Sequence, residues 1–351
     1  MVAHQTRRCA PKNLYCLRRY NKNSMVKAEL EKIARQLCQP GKGILAADES
    51  SGTIEKRFQT IHLPSTAANR KAWRQLLFTA PGINKFISGV ILYDETIRQG
   101  LVPLLTKQGI TPGIKVDTGA KPLANFPGET VTEGLDGLRE RLAEYVKLGA
   151  KFTKWRAVIS LGKGFPTPQA IEANAHALAR FAALSQEAGL VPIVEPETLM
   201  EGSHDIQTHA RVSKKVLLAV FAELKNYRVY LPGLLLKTNM VAAGLAAKKP
   251  VGASAVARAT VAVFRASVPP AVPGIMFLSG GLSPEASTVN LNAVSRLGKQ
   301  PWQISFSYGR ALQGEALEIW QGKLKNKSAA QKAFFQRAAK VAAARDGRLY
   351  D

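Results

Sequence analysis

The sequence predicts an α/β fold, a single-domain (β/α)8 TIM barrel, on three observations. Eight short, β-branched apolar runs recur along the chain, each followed by a helix-compatible stretch. The runs are continuous rather than alternating, as expected of parallel strands buried on both faces. The 351 residues, 46% of them hydrophobic, suffice for a large core, and barrels of this kind often take that much chain as one domain. A doubly wound open sheet is the structural alternative. No Gly-x-Gly-x-x-Gly motif follows the first run, which counts against a dinucleotide-binding version of it.

Residues 1–24 carry Arg7, Arg8, Lys12, Arg18, Arg19 and Lys22 and no acid. They read as a basic tail, disordered or leader-like, since transit leaders are basic and poor in acids. Met25 opens a helix, MVKAELEKIARQL, that stops at Pro40-Gly41. The apolar runs follow: Gly43–Asp48, Gly89–Glu95, Gly113–Gly119, Phe152–Ser160, Val191–Glu197, Gly233–Asn239, Gly274–Gly281 and Gln303–Arg310. The alanine-rich stretch Ser328–Arg345 reads as a last helix. Residues 25–345 thus hold the barrel with its terminal helices, and 346–351 form a short tail.

The composition narrows the function classes. No run reaches the roughly 18 apolar residues of a membrane span. Cys9, Cys16 and Cys38 are odd in number and lack Cys-x-x-Cys spacing, which fits a reducing compartment better than a disulfide framework. Five scattered histidines without ligand spacing offer no metal site. The net charge of +24 favours anionic partners, whether nucleic acid, an anionic surface or a phosphorylated metabolite, or else marks a solvated basic surface.

The chemistry centres on Lys237, which ends the apolar run LPGLLLK. Burial disfavours an ammonium, and a chain tolerates that cost where a neutral amine must attack a carbonyl. Other polar residues end the runs: Asp48, Lys115, Asp117, Lys154, Arg156, Glu195, Glu197, Ser279, Ser307 and Arg310. A barrel gathers such ends at one mouth. Lys154 is expected beside Lys237, lowering the pKa of its amine. Glu195 and Glu197 alternate around Pro196 and share a strand face, where their repulsion can hold one protonated; ion pairing with Lys154 and Arg156 in the resting site is the alternative, and it does not exclude catalysis. Asp48 can accept a hydroxyl proton. The SGG and SYGR turns, with Ser279, Gly280 and Arg310, suit one phosphate. Ser50, Thr53, Lys115 and Arg156 suit a second, and two such sites suggest a bisphosphorylated small molecule.

From Met25 to Ala344 the chain resembles a class I fructose-bisphosphate aldolase. The resemblance rests on ten motifs in order: GKGILAADES, GVIL-x-x-ET, GIKVD, TEGLDGL, KWRAVI, GLVPIVEPE, LLLK-x-NMV, VPPAV-x-GI, FLSGGLS and FSYGRALQ. It implies metal-independent, cofactor-free, reversible cleavage of fructose 1,6-bisphosphate, a homotetramer and a cytoplasmic, glycolytic role. An organellar site is the alternative if residues 1–24 are a leader. By resemblance, Lys237 is the Schiff-base lysine and Lys154 its neighbour. Glu195 is the acid/base paired with Glu197, and Asp48 takes the C4 hydroxyl proton. Ser279, Gly280 and Arg310 match binders of the C1 phosphate, while Ser50, Thr53, Lys115 and Arg156 match the C6 region.

Three departures stand out. Thr238 replaces the usual proline after the Schiff-base lysine, which could loosen the backbone there. The segment between Thr96 and Gly109 is shorter than in animal members, and the animal-type tail ending in tyrosine is missing. Two other readings stay open. One is another Schiff-base barrel acting on phosphosugars. The other is a basic polyanion-binding protein on the same fold, in which binding would be strongly salt-dependent.

Overall fold

In the computed structural model, which describes residues 12–249 and 251–350, eight parallel strands close a ring. They are β1 (Gly43–Ala47), β2 (Ile87–Leu92), β3 (Thr111–Lys115), β4 (Phe152–Ile159), β5 (Val191–Thr198), β6 (Leu235–Thr238), β7 (Gly274–Phe277) and β8 (Gln303–Tyr308). Each pairs with its neighbours in sequence, and β8 returns to β1. Every apolar run of the sequence thus contributes one barrel strand, and helices follow them on the outside. Four of those helices are N-capped by side chains: Thr66, Thr167, Asp205 and Ser283 each accept a backbone N–H of the first turn.

Several strands are shorter than the runs that announced them. β2 ends at Leu92 because Asp94 opens a one-turn helix, Asp94–Arg98. β7 ends at Phe277, and the chain then turns through Gly280 and Gly281 at φ of 46° and 79°, a region that glycine enters without strain. β6 begins only at Leu235, after a 3-10 turn at Leu231–Gly233. Between β3 and the helix Leu138–Lys147 lies an antiparallel hairpin, Gly119–Pro122 with Thr130–Glu133, which the sequence reading did not anticipate.

The first helix also departs from expectation. It runs Lys12–Leu37 and so starts ahead of Met25. No proline or glycine interrupts residues 12–37, and the stretch is rich in helix-tolerant Leu, Arg and Lys. Residues 1–11 lie outside the described residues.

That helix closes the lower end of the barrel. Leu30, Ile33, Ala34, Leu37 and Cys38 pack in one cluster with the inward side chains Ile44, Phe152, Val191, Ile193, Leu235 and Met276. Glycines make room there. A Cβ on Gly113 would overlap the Phe152 ring, and one on Gly89 would meet Leu37 and Phe152. The outward faces of the strands bury Trp155, Val194, Leu236 and Phe277 against the helices.

Candidate active site

The site follows from a single alternation along the strands. The side chains of β5 that point inward are Val191, Ile193, Glu195 and Glu197, every second residue. The first two belong to the apolar plug and the last two to the mouth. β4 repeats the pattern with Phe152 below and Lys154 and Arg156 above, and β6 with Leu235 below and Lys237 above. The lower half of the barrel is thus packed, and the upper half carries charge.

The mouth is a cavity of about 850 Å³. Every residue singled out from the sequence lines it: Asp48, Ser50, Thr53, Lys115, Lys154, Arg156, Glu195, Glu197, Lys237, Ser279, Gly280 and Arg310. At its floor Glu195 bridges two lysines. Its Oε1 lies 2.9 Å from Lys237 Nζ and its Oε2 lies 3.2 Å from Lys154 Nζ. Lys154 Nζ also meets Asp48 Oδ2 at 2.8 Å. Lys237, Lys154 and Glu195 are each buried, with side chains 5% exposed or less. Higher up, Arg156 Nε donates to Glu197 Oε2 at 2.5 Å, and Lys115 Nζ pairs with Asp117 Oδ1 at 2.5 Å.

These contacts correct two expectations. Lys154 does neighbour Lys237, but a carboxylate lies between them, so its positive charge is already matched by Asp48 and Glu195. Glu195 is also not driven toward protonation by Glu197, because Glu197 is occupied by Arg156. Burial pushes the Glu195 carboxyl up, yet the charges of Lys154 and Lys237 outweigh burial and hold it below its ordinary value. Asp48 follows the same logic: burial raises it, and Lys154 and Lys237 pull it well below the usual carboxylate range. Burial lowers the Lys154 amine, but Asp48 and Glu195 raise it further than burial lowers it. The resting floor is a set of ionised carboxylates interleaved with an ammonium.

The rim is cationic. Ser50 Oγ and Thr53 Oγ1 lie 3.1 Å apart at the start of the helix Ser51–Gln59. Gly280 and Arg310 stand after β7 and β8, which pair with each other, and β8 pairs in turn with β1. Among the described residues, Lys56 and Arg310 face the cavity with no carboxylate within ion-pair distance. Also among the described residues, no group of three His, Cys, Asp or Glu side chains is placed to hold a metal ion.

Sequence reasoning missed part of the lining. Lys56 and Arg57 project from the same helix as Thr53, and Thr60 caps its C-terminal end, all at the three- and four-residue spacing of one helix face. That spacing is the signal that finds them. Glu49 and Gln313 were also missed. Glu49 is buried between Arg74, 2.6 Å away, and Arg57, while Gln313 Nε2 donates to Glu49 Oε1 at 3.0 Å and to the Ala46 carbonyl at 2.7 Å. No local pattern announces this bracket, because Gln313 lies more than 260 residues from its partners.

The geometry can be set beside known proteins. The family model described as class-I fructose-bisphosphate aldolase matches residues 29–351. A cytosolic fructose-bisphosphate aldolase of Arabidopsis thaliana is 50% identical over 317 residues, covering 88% of this chain and 81% of that protein. Fructose-bisphosphate aldolase 1 of Toxoplasma gondii is 50% identical over 321 residues, covering 89% of this chain and 88% of that protein. Among solved structures, the Plasmodium falciparum fructose-bisphosphate aldolase, in a ternary complex with TRAP and a small-molecule inhibitor, superposes with a TM-score of 0.91 at 47% identity. That match covers 93% of this chain and 96% of the other. With the barrel, the charged mouth and these likenesses together, the chain belongs to the class I fructose-bisphosphate aldolases.

Proposed function

We propose that this chain cleaves fructose 1,6-bisphosphate reversibly to dihydroxyacetone phosphate and glyceraldehyde 3-phosphate through an imine on Lys237. The observation that carries the reading is the buried contact of Lys237 Nζ with Glu195, 2.9 Å away at the floor of a cation-rimmed cavity. Glu195 accepts a proton from the ammonium, freeing the lone pair to attack the C2 ketone. It returns that proton to the carbinolamine hydroxyl, which leaves as water. The resulting iminium takes the electron pair of the C3–C4 bond. Asp48, ionised in the resting site, accepts the C4 hydroxyl proton as that bond breaks and the aldehyde forms. The enamine is then protonated at C3, and water hydrolyses the imine to release the second triose.

Lys154 holds Asp48 and Glu195 in place through its two contacts, and Arg156 orients Glu197. Ser279, Gly280 and Arg310 take one phosphate. Ser50, Thr53, Lys115 and Arg156 take the other, with the unpaired cation of Lys56 adding to the rim. Binding energy from the two phosphates fixes the reacting carbons between Lys237 and Asp48. The test is borohydride trapping with dihydroxyacetone phosphate in the presence of EDTA, followed by peptide mass spectrometry. A reduced adduct on Lys237 supports the reading, and folded protein without an adduct sinks it.

A homotetramer and a cytoplasmic location complete the proposal. The family supports the first, and the cytosolic Arabidopsis relative supports the second. Sedimentation at micromolar concentration should give a four-chain species, and a monomer would overturn that part.

A further inference from the structure

The two strands that carry the imine chemistry are joined differently from their neighbours. β4 and β5 pair along their whole length, from Phe152↔Val191 to Ile159↔Thr198. β5 and β6 pair only at Ile193↔Leu235 and Val194↔Leu236. The ladder stops one residue short of Glu195 and Lys237. Pro196 supplies the reason. A strand residue aims its N–H and C=O to the same side, and the Pro196 carbonyl faces β6, so the N–H that should face β6 is the one proline lacks.

Side chains bridge the gap instead. Thr238 Oγ1 donates to the Pro196 carbonyl at 3.1 Å, with Thr238 only 5% exposed. One residue on, Asn239 Oδ1 accepts the Thr198 N–H at 2.9 Å. Lys237 and Glu195 therefore lie between the last ladder pair on one side and these side-chain bonds on the other.

We propose that Thr238 is a positioning residue: its hydroxyl, bonded to the Pro196 carbonyl, ties β6 to β5 where the ladder has stopped and so sets the approach of Lys237 to Glu195. A proline at 238 would stiffen the chain through its ring, whereas threonine secures it by a hydrogen bond across the seam. The inference rests on Lys237 as the imine-forming amine. It adds that the geometry of that amine depends on a hydroxyl that never touches substrate.

The test compares Thr238→Val, which keeps the shape and loses the donor, with Thr238→Ser, which keeps the donor. Thr238→Ala serves where the valine variant does not fold. Measured are kcat, KM for fructose 1,6-bisphosphate, the rate of borohydride-trapped adduct formation, and the thermal midpoint. Thr238→Val should lower kcat and the trapping rate together by about tenfold, the scale of one lost hydrogen bond, with KM little changed. Thr238→Ser should restore both rates. A loss of thermal stability with unchanged rates, or a serine variant as slow as valine, overturns the proposal. Wild-type protein with no adduct on Lys237 would instead overturn the reading beneath it.

Discussion

Glu195 is the residue on which most of the site depends, because one carboxylate contacts the side-chain nitrogens of two lysines. Replacing it by glutamine keeps its size and removes both its charge and its capacity to carry a proton. Glu195→Gln should lower kcat by about 10²–10⁴-fold, the usual range for lost acid–base catalysis, while substrate binding changes little. Steady-state kinetics check this, and a loss confined to KM would count against the assignment. His209 makes a different single-residue prediction. It is fully buried, with Nε2 2.6 Å from Thr198 Oγ1 and Nδ1 2.9 Å from the Ala242 carbonyl. Burial pushes its pKa down to about 4 against an unfolded value near 6.5. The folded state thus prefers the neutral ring. Its contribution is intact above pH 6.5 and is lost as pH falls from there to about 4. His204, whose ring centre is 5.5 Å away and whose pKa burial also lowers, acts in the same direction. The carboxylates held low at the floor act only below their ordinary range. Thermal melts of His209→Gln between pH 7 and 4.5 should be flatter than wild type; equal slopes would exclude this residue as the acid-sensitive group.

At the scale of elements, each strand divides its work along its length. β4, β5 and β6 begin with plug residues and end with charged ones, all on one inward face. The plug is tight at Gly113, where a Cβ would overlap the Phe152 ring directly beneath Lys154. Gly113→Ala should cost about 1–3 kcal/mol of stability in denaturant melts, as overpacked cores do. Phe152→Leu in the same chain should recover part of it, and a neutral alanine variant would disprove the packing account. This division also explains what could be read without coordinates. Strands buried on both faces announce themselves as continuous apolar runs, so all eight were legible. A lysine or a pair of glutamates ending such a run is costly enough to stand out. Lys56 and Arg57 did not stand out, because charges on a short helix look like any solvated face. The Thr238–Pro196 bond, the Glu49 bracket and the His209 contacts join distant segments and leave no local trace. The early start of the first helix was missed because its basic charge outweighed the absence of helix breakers in the reading.

The whole molecule carries a charge of +24, far beyond what one cavity needs for a bisphosphate. The excess acts as a long-range field that salt screens over about 8 Å at physiological ionic strength. Binding to heparin should accordingly be weak and fall steeply as salt is added, with cleavage activity retained by the eluted protein. Retention at high salt would point to a dedicated polyanion site instead. The first helix has a consequence for traffic. Since apolar packing by Leu30, Ile33, Ala34 and Leu37 closes the lower end of the ring, substrate, water and both trioses share one doorway. In the proposed cycle the aldehyde half must depart past the rim while its partner is still tethered, before hydrolytic water can follow the same route inward. Either triose, if it accumulates outside, slows the forward reaction simply by standing in the entrance.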